Sequence, residues 1–196
     1  MMKPIFKQQL YFIVALSLLS ACQAPNTSKD KDKLYFEVES LITQQIQWLE
    51  KIKPKVEKQV VVDGKLEQKT IEVQSWAKEL EMFMQADLNK PALRDAYTKK
   101  DSSASNEKFT IYTAREARTT VRRLRIAWDG QQAKSLQAWI RNENYLYIST
   151  RHLTLLLASQ PPQNQWLVRQ YSIETMQKMI FNQPRSYRLI AKIMYQ

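Results

Sequence analysis

From Phe109 onward, apolar side chains fall at every second position in one short run after another. This alternation constrains the fold more than any other feature, because a period of two is that of a strand with one buried face. Phe109, Ile111 and Thr113 open the pattern, and Leu124, Ile126 and Trp128 alternate with Arg123, Arg125 and Ala127. Leu136, Ala138 and Ile140 form the next inward set, residues 145–157 read as one long strand or two shorter ones, and Tyr187, Leu189, Ala191 and Ile193 close the series. Turn residues separate the runs: Asp129-Gly130, Asn142-Glu143-Asn144, Pro161-Pro162 with Asn164, and a stretch around Pro184. Five or six consecutive strands with short connections predict an antiparallel meander, and its buried face needs cover.

The cover lies upstream. Leu34, Val38, Leu41, Ile42, Ile46, Leu49 and Ile52 recur at three- and four-residue steps, flanked by Phe36 and Trp48. They predict a helix over residues 33–53, ended by Pro54. Trp76, Leu80, Phe83, Met84 and Leu88 repeat the pattern behind Ser75, a residue suited to capping a helix, and Pro91 opens a short further turn. Between the two helices, β-branched runs surround Asp63-Gly64, a dipeptide that tolerates the positive φ values of a tight hairpin turn. Pairing about that turn sets Lys58 against Lys69, an unfavourable like-charge pair. Either a bulge shifts the register or the hairpin is a solvated protrusion. Residues 98–108 are polar, lack apolar anchors and read as an exposed loop. The fold class is therefore α+β: two N-terminal helices with an intervening hairpin, packed on a C-terminal antiparallel meander, in a single domain over residues 34–196.

The residues ahead of this domain differ in kind. Lys3 and Lys7 precede an uncharged apolar stretch, residues 10–19, which closes at Leu19-Ser20-Ala21-Cys22. A basic start, an apolar centre well short of the roughly 20 residues that span a bilayer, and small residues before a cysteine have the layout of a secretory signal. The segment resembles the lipobox of bacterial lipoproteins. That resemblance implies residues 1–21 as a signal peptide, cleavage before Cys22, diacylglycerol on its thiol and a protein held in the cell envelope. It implies the outer membrane rather than the inner, because Gln23 and not Asp follows the cysteine. Residues 22–33 are polar, alternately charged and interrupted by Pro25, and predict a flexible tether. Cys22 is the only cysteine, so no disulfide staples the fold and a packed core must hold it.

The chain carries a net charge of +11, of which Lys3 and Lys7 contribute two, and this bears on partners rather than on fold. Gly64 and Gly130 are the only glycines, which excludes most phosphate-cradling loops. His152 is the only histidine; in strand phase with Ile148 and Leu156, it reads as a packed, hydrogen-bonded residue and not as a base. Ser149, Thr150 and Thr154 beside it complete no recognised nucleophile set. No metal-ligand spacing is present. Asp63 and Asp129 belong to turns, while Glu37, Glu39, Glu50, Glu79 and Glu81 fall on helix faces that default to solvent. No pair of acids announces an envelope hydrolase. The expectation is a non-catalytic chain without cofactor or metal.

The densest basic cluster is Arg115, Arg118, Arg122, Arg123 and Arg125, within eleven residues. The guanidinium fork matches phosphate and carboxylate, so these five are the candidate anion-binding set. Alternation puts Arg123 and Arg125 on one strand face and Arg122 on the other, so the five do not form one flat patch. The partners expected are the membrane, through the N-terminal lipid, together with anionic lipid or an envelope protein. Nucleic acid is not expected of an anchored envelope protein. Two roles follow: an adaptor docking through a sheet edge or its arginine face, or a carrier or sensor of a hydrophobic ligand beneath a curved sheet. For the second, Tyr145, Tyr147, Leu153, Leu155, Leu157, Met176 and Met179 form the candidate lining.

Overall fold

Every alternating run becomes a strand, and the strands join into one sheet larger than the periodicity suggests. The computed structural model describes residues 33–104, 107–161 and 165–195; the signal segment, the lipobox with Cys22 and nearly all of the tether lie outside the described residues. In chain order the elements are α1 (Val38–Ile52), β1 (Lys55–Val62), β2 (Lys65–Glu72), α2 (Trp76–Met84), a 3-10 turn (Pro91–Leu93), β3 (Tyr97–Ala104), β4 (Glu107–Ala114), β5 (Val121–Asp129), β6 (Gln132–Glu143), β7 (Tyr147–Gln160), β8 (Gln165–Met179) and β9 (Arg185–Met194). The sheet order is β2-β1-β9-β8-β7-β6-β5-β4-β3. Seven strands, β3 to β9, form the meander, and the β1–β2 hairpin extends it past β9.

Three expectations are corrected here. The sheet has nine strands where five or six were expected. Residues 98–104 and 107–108 are not a loop but nearly all of β3 and the start of β4, which pair with each other. Strand β3 is an edge with little besides Tyr97 buried, so its polar side chains carry no alternation to detect. Nor does the β1–β2 hairpin protrude, because β1 pairs along its length with β9. Its register contains no bulge and does set Lys58 against Lys69. The pair is tolerated because Lys58 points to the helix side and meets Glu79 of α2 at 2.6 Å. Asp63 and Gly64 both adopt positive φ, 47° and 86°, as the tight turn requires.

The helices cover one face of the sheet. Helix α1 buries Val38, Ile42, Gln45 and Leu49, whereas Leu34 and Ile52, at the ends of the apolar stripe, are exposed. Helix α2 buries Trp76, Leu80 and Phe83, and the Ser75 hydroxyl accepts from the Lys78 amide at its start. Beneath them lie Leu124, Ile126, Leu136, Leu153, Leu155 and Tyr171, all fully buried in one core. Phe83 meets the Tyr171 ring edge-on at 6.1 Å. Residues 34–196 form a compact unit of their own. Leu153, Leu155 and Leu157 belong to this core whereas Tyr145, Met176 and Met179 are exposed, so the expected lining residues do not converge on one cavity. Two acids expected to face solvent are also engaged: Glu50 accepts from the Trp76 amide at 2.7 Å, and Glu79 binds Lys58 and the Tyr171 hydroxyl.

Candidate functional site

The sheet face away from the helices is open, and strand pairing arranges its side chains in rows perpendicular to the strands. One row runs Arg123, Trp139, His152, Glu174 and Arg188, from β5 to β9. The Arg123 guanidinium lies over the Trp139 ring at 5.1 Å, and Trp139 stacks on the His152 imidazole at 4.6 Å and 18°. Glu174 and Arg188 form an ion pair at 3.4 Å. His152 is packed as expected, its ring stacked on an indole, but among the described residues its buried Nε2 has no hydrogen-bond partner, which corrects the expected bond.

A parallel row nearer one end of the sheet forms a groove of about 720 Å³. Its residues follow the register across six strands: Ala127, Ser135, Leu156, Gln170, Lys192 and Glu57. At about 4.8 Å per strand spacing, the row is roughly 24 Å long. Two β-bulges build its walls. Ala127 pairs with Ser135 but Trp128 with Ala133, which leaves Lys134 unpaired; Leu156 pairs with Gln170 but Leu157 with Val168, which leaves Arg169 unpaired. A bulge bends its strand and turns two consecutive side chains to one face. Lys134 with Ser135, and Arg169 with Gln170, accordingly line the groove together. Ala127 and Leu167 are buried at this end, yet they stand apart from the helix-side core.

The groove has an apolar floor, with Ala127, Leu156 and Ala158, and a surplus of cations at its rim. Lys134 binds Glu107 at 3.0 Å; this hydrogen bond and the attraction behind it hold the Glu107 carboxyl below its ordinary pKa and lift the Lys134 ammonium above its own. Glu57 accepts from the Gln68 amide at 2.9 Å. The Arg125 guanidinium lies over the Phe109 ring at 4.4 Å and donates to the Gln137 side chain at 3.4 Å. Arg169 and Lys192 form no ion pair with any of the described residues.

The five arginines grouped by sequence do not converge. Arg123 and Arg125 share the open face, as alternation predicts, but only Arg125 reaches the groove. Arg115 and Arg118 sit in the β4–β5 connection at the other end of the sheet, with Arg118 bound to Glu116. Arg122 occupies a third bulge; it donates to the Glu116 carbonyl, its charge acts on Tyr97, and its Nε is buried without a partner among the described residues. Sequence reasoning missed Lys134, Arg169 and Lys192. The first two are aimed by bulges, which leave no periodic mark, and Lys192 looks like any polar position of an alternating strand.

Among the described residues no group of three or more His, Cys, Asp or Glu side chains is placed to hold a metal, and no helix is long and apolar enough to cross a membrane. Guanidinium, ammonium and amide groups around an apolar floor are suited to holding an anion attached to an apolar body. Comparison with protein-family models, with curated proteins and with solved structures finds no match to this chain.

Proposed function

We propose that this chain is a non-catalytic lipoprotein of the bacterial cell envelope, anchored through Cys22 at the outer membrane, and that its open sheet face binds an anionic amphiphile. The acyl portion lies along the groove floor, and its carboxylate or phosphate is held among Arg125, Arg169 and Lys192. The observation that carries this reading is that Arg169 and Lys192, which form no ion pair with any described residue, flank an apolar-floored groove of about 720 Å³ in which basic side chains outnumber acids. Four basic side chains, Arg125, Lys134, Arg169 and Lys192, against two acids, Glu57 and Glu107, around an apolar floor attract an anion that brings its own apolar surface. The adaptor role through a sheet edge has less support. Both edges, β2 and β3, carry lysines and acids along exposed strands, a composition that discourages strand addition.

Photo-crosslinking tests the proposal. Cells producing the full-length protein are fed a fatty acid bearing a photoactivatable group, and the adducts are mapped by mass spectrometry. Adducts on residues 156–158 and 169–170 are expected, and Arg169→Glu with Lys192→Glu lowers their yield by about tenfold or more, the scale of losing charge-assisted hydrogen bonds. Adducts confined to the N-terminal residues, or a yield indifferent to the two reversals, overturn it.

A further inference from the structure

We propose that the end of the sheet opposite the groove dips into the surface of an anionic bilayer. In an antiparallel sheet the turns β1–β2, β4–β5, β6–β7 and β8–β9 all leave from one end, and the groove lies toward the other. The β1–β2, β6–β7 and β8–β9 turns carry large apolar side chains that nothing among the described residues covers. Phe181 is 91 % exposed and Tyr145 82 %, with Leu66, Ile180, Leu146 and Met179 also exposed. The β6–β7 and β8–β9 turns are neighbours, and the β1–β2 turn touches the start of β9. The Ile180 amide donates to the Leu146 carbonyl, Met179 pairs with Tyr147, and Asp63 of the β1–β2 turn exchanges hydrogen bonds with Ser186 just after the β8–β9 turn.

Charge selects the occupant. Residues 175–188 include Lys178, Arg185 and Arg188 and no acidic residue, and the acids of the neighbouring turns are engaged, Asp63 with Ser186, Glu116 with Arg118 and Glu143 with Arg141. Arg188 is bound to Glu174, but Lys178 and Arg185 are exposed and form no ion pair with any described residue. Aromatic and aliphatic side chains on narrow turn tips, with cations just behind them, match the boundary between acyl chains and anionic headgroups. A protein partner is better served by a broad face of about 800 Å² per side than by such tips.

The test uses the full chain with Cys22→Ser, which removes acylation, and one new cysteine carrying an environment-sensitive fluorophore. Phe181→Cys places the label on the tip; Gln132→Cys, beside the β5–β6 turn at the other end, is the control. Vesicles of phosphatidylcholine, with and without phosphatidylglycerol, are added. The label at 181 is expected to shift to the blue and to be quenched by spin-labelled acyl chains, more strongly with phosphatidylglycerol, while the label at 132 does not respond. Lys178→Glu with Arg185→Glu is expected to weaken vesicle affinity by about tenfold or more, since each basic residue near an anionic surface is worth about a factor of five. Equal responses at 181 and 132 mean that the N-terminal segment alone binds, and overturn the proposal. So does a response that needs no vesicles and grows with protein concentration, which marks a second copy as the occupant. Silence at 181, or indifference to phosphatidylglycerol, overturns it as well. None of these outcomes bears on crosslinking in the groove.

Discussion

Gln45 of α1 stands in for a missing strand beside Val168. Its Oε1 accepts from the Val168 amide at 2.9 Å, and its Nε2 donates to the Trp166 carbonyl at 3.0 Å. Pairing between β8 and β9 begins only at Gln170, so before that point β8 has no paired strand on that side among the described residues. The Tyr195 hydroxyl completes the substitution by donating to the Val168 carbonyl at 2.5 Å. Gln45 is only 2 % exposed, so water cannot replace it. Gln45→Leu strands a donor and an acceptor and is expected to destabilise the protein by about 2–4 kcal/mol. Denaturant unfolding checks this, with a lowered midpoint and an unchanged slope. Because Arg169 follows directly, the same variant is also expected to lower crosslinking in the groove.

Lys58, Glu79 and Tyr171 tie the hairpin, α2 and the centre of the sheet together. Glu79 receives Lys58 at 2.6 Å and the Tyr171 hydroxyl, and both charged side chains are largely withdrawn from water. Burial, followed by the bond to Glu79, drives the Tyr171 pKa far above its ordinary value, so this hydroxyl remains a donor. Glu79→Ala leaves an ammonium half-buried without its partner and is expected to destabilise by about 3–5 kcal/mol. Lys58→Met with Glu79→Met removes both charges and is expected to recover much of that loss. A double-mutant cycle by chemical unfolding measures the coupling.

What was legible in the sequence was whatever depends on one buried face. Leu136, Ala138 and Ile140 show their strand because every second residue enters the core, and Ser75 shows its cap because a hydroxyl before Trp76 has one obvious use. Strand β3 was invisible, since an edge strand stabilised by backbone pairing need not bury its side chains. Gln45 was passed over, and Glu79 misread, for a related reason. A polar residue on a helix signals solvent unless its tertiary partner is known, and those partners lie 121 and 21 residues away. The groove was hidden twice over, because its walls come from bulges at Lys134 and Arg169 and its row crosses six strands that register alone brings together.

Tyr97 links the core to alkaline pH. Burial, reinforced by Tyr35 and opposed by Arg122, pushes its phenol up to about 12, and its hydroxyl has no hydrogen-bond partner among the described residues. In the unfolded chain a tyrosine loses its proton near pH 10. Between about 10 and 12 the folded state therefore holds a proton that the unfolded state has released, and stability falls as pH rises through that window. Below it the contribution is fully present. Tyr112, Tyr187 and Tyr195 are raised in the same direction, each chiefly by burial, and steepen the fall. Tyr97→Phe is expected to be neutral or slightly stabilising at pH 7, because no bond is lost, and to make the decline above pH 10 shallower. Thermal melts across that range decide it.

The five arginines grouped by sequence provide the last prediction, because the structure gives them unequal work. Arg118 meets Glu116 at 2.6 Å, but the two side chains are 88 % and 60 % exposed, and such a pair contributes less than about 0.5 kcal/mol. Arg118→Ala is expected to change neither melting nor crosslinking in the groove. Arg123→Ala removes a cation from the Trp139 face and is expected to lower stability by about 0.5–1 kcal/mol without reaching the groove. Arg125→Ala loses the cover of Phe109, the bond to Gln137 and a cation at the groove wall, so it alone of the three is expected to lower both stability and crosslinking yield. Parallel melts and crosslinking of the three single variants test the order. A loss of crosslinking in Arg118→Ala equal to that in Arg125→Ala would show that bulk basic charge, and not the geometry of the open face, draws the ligand.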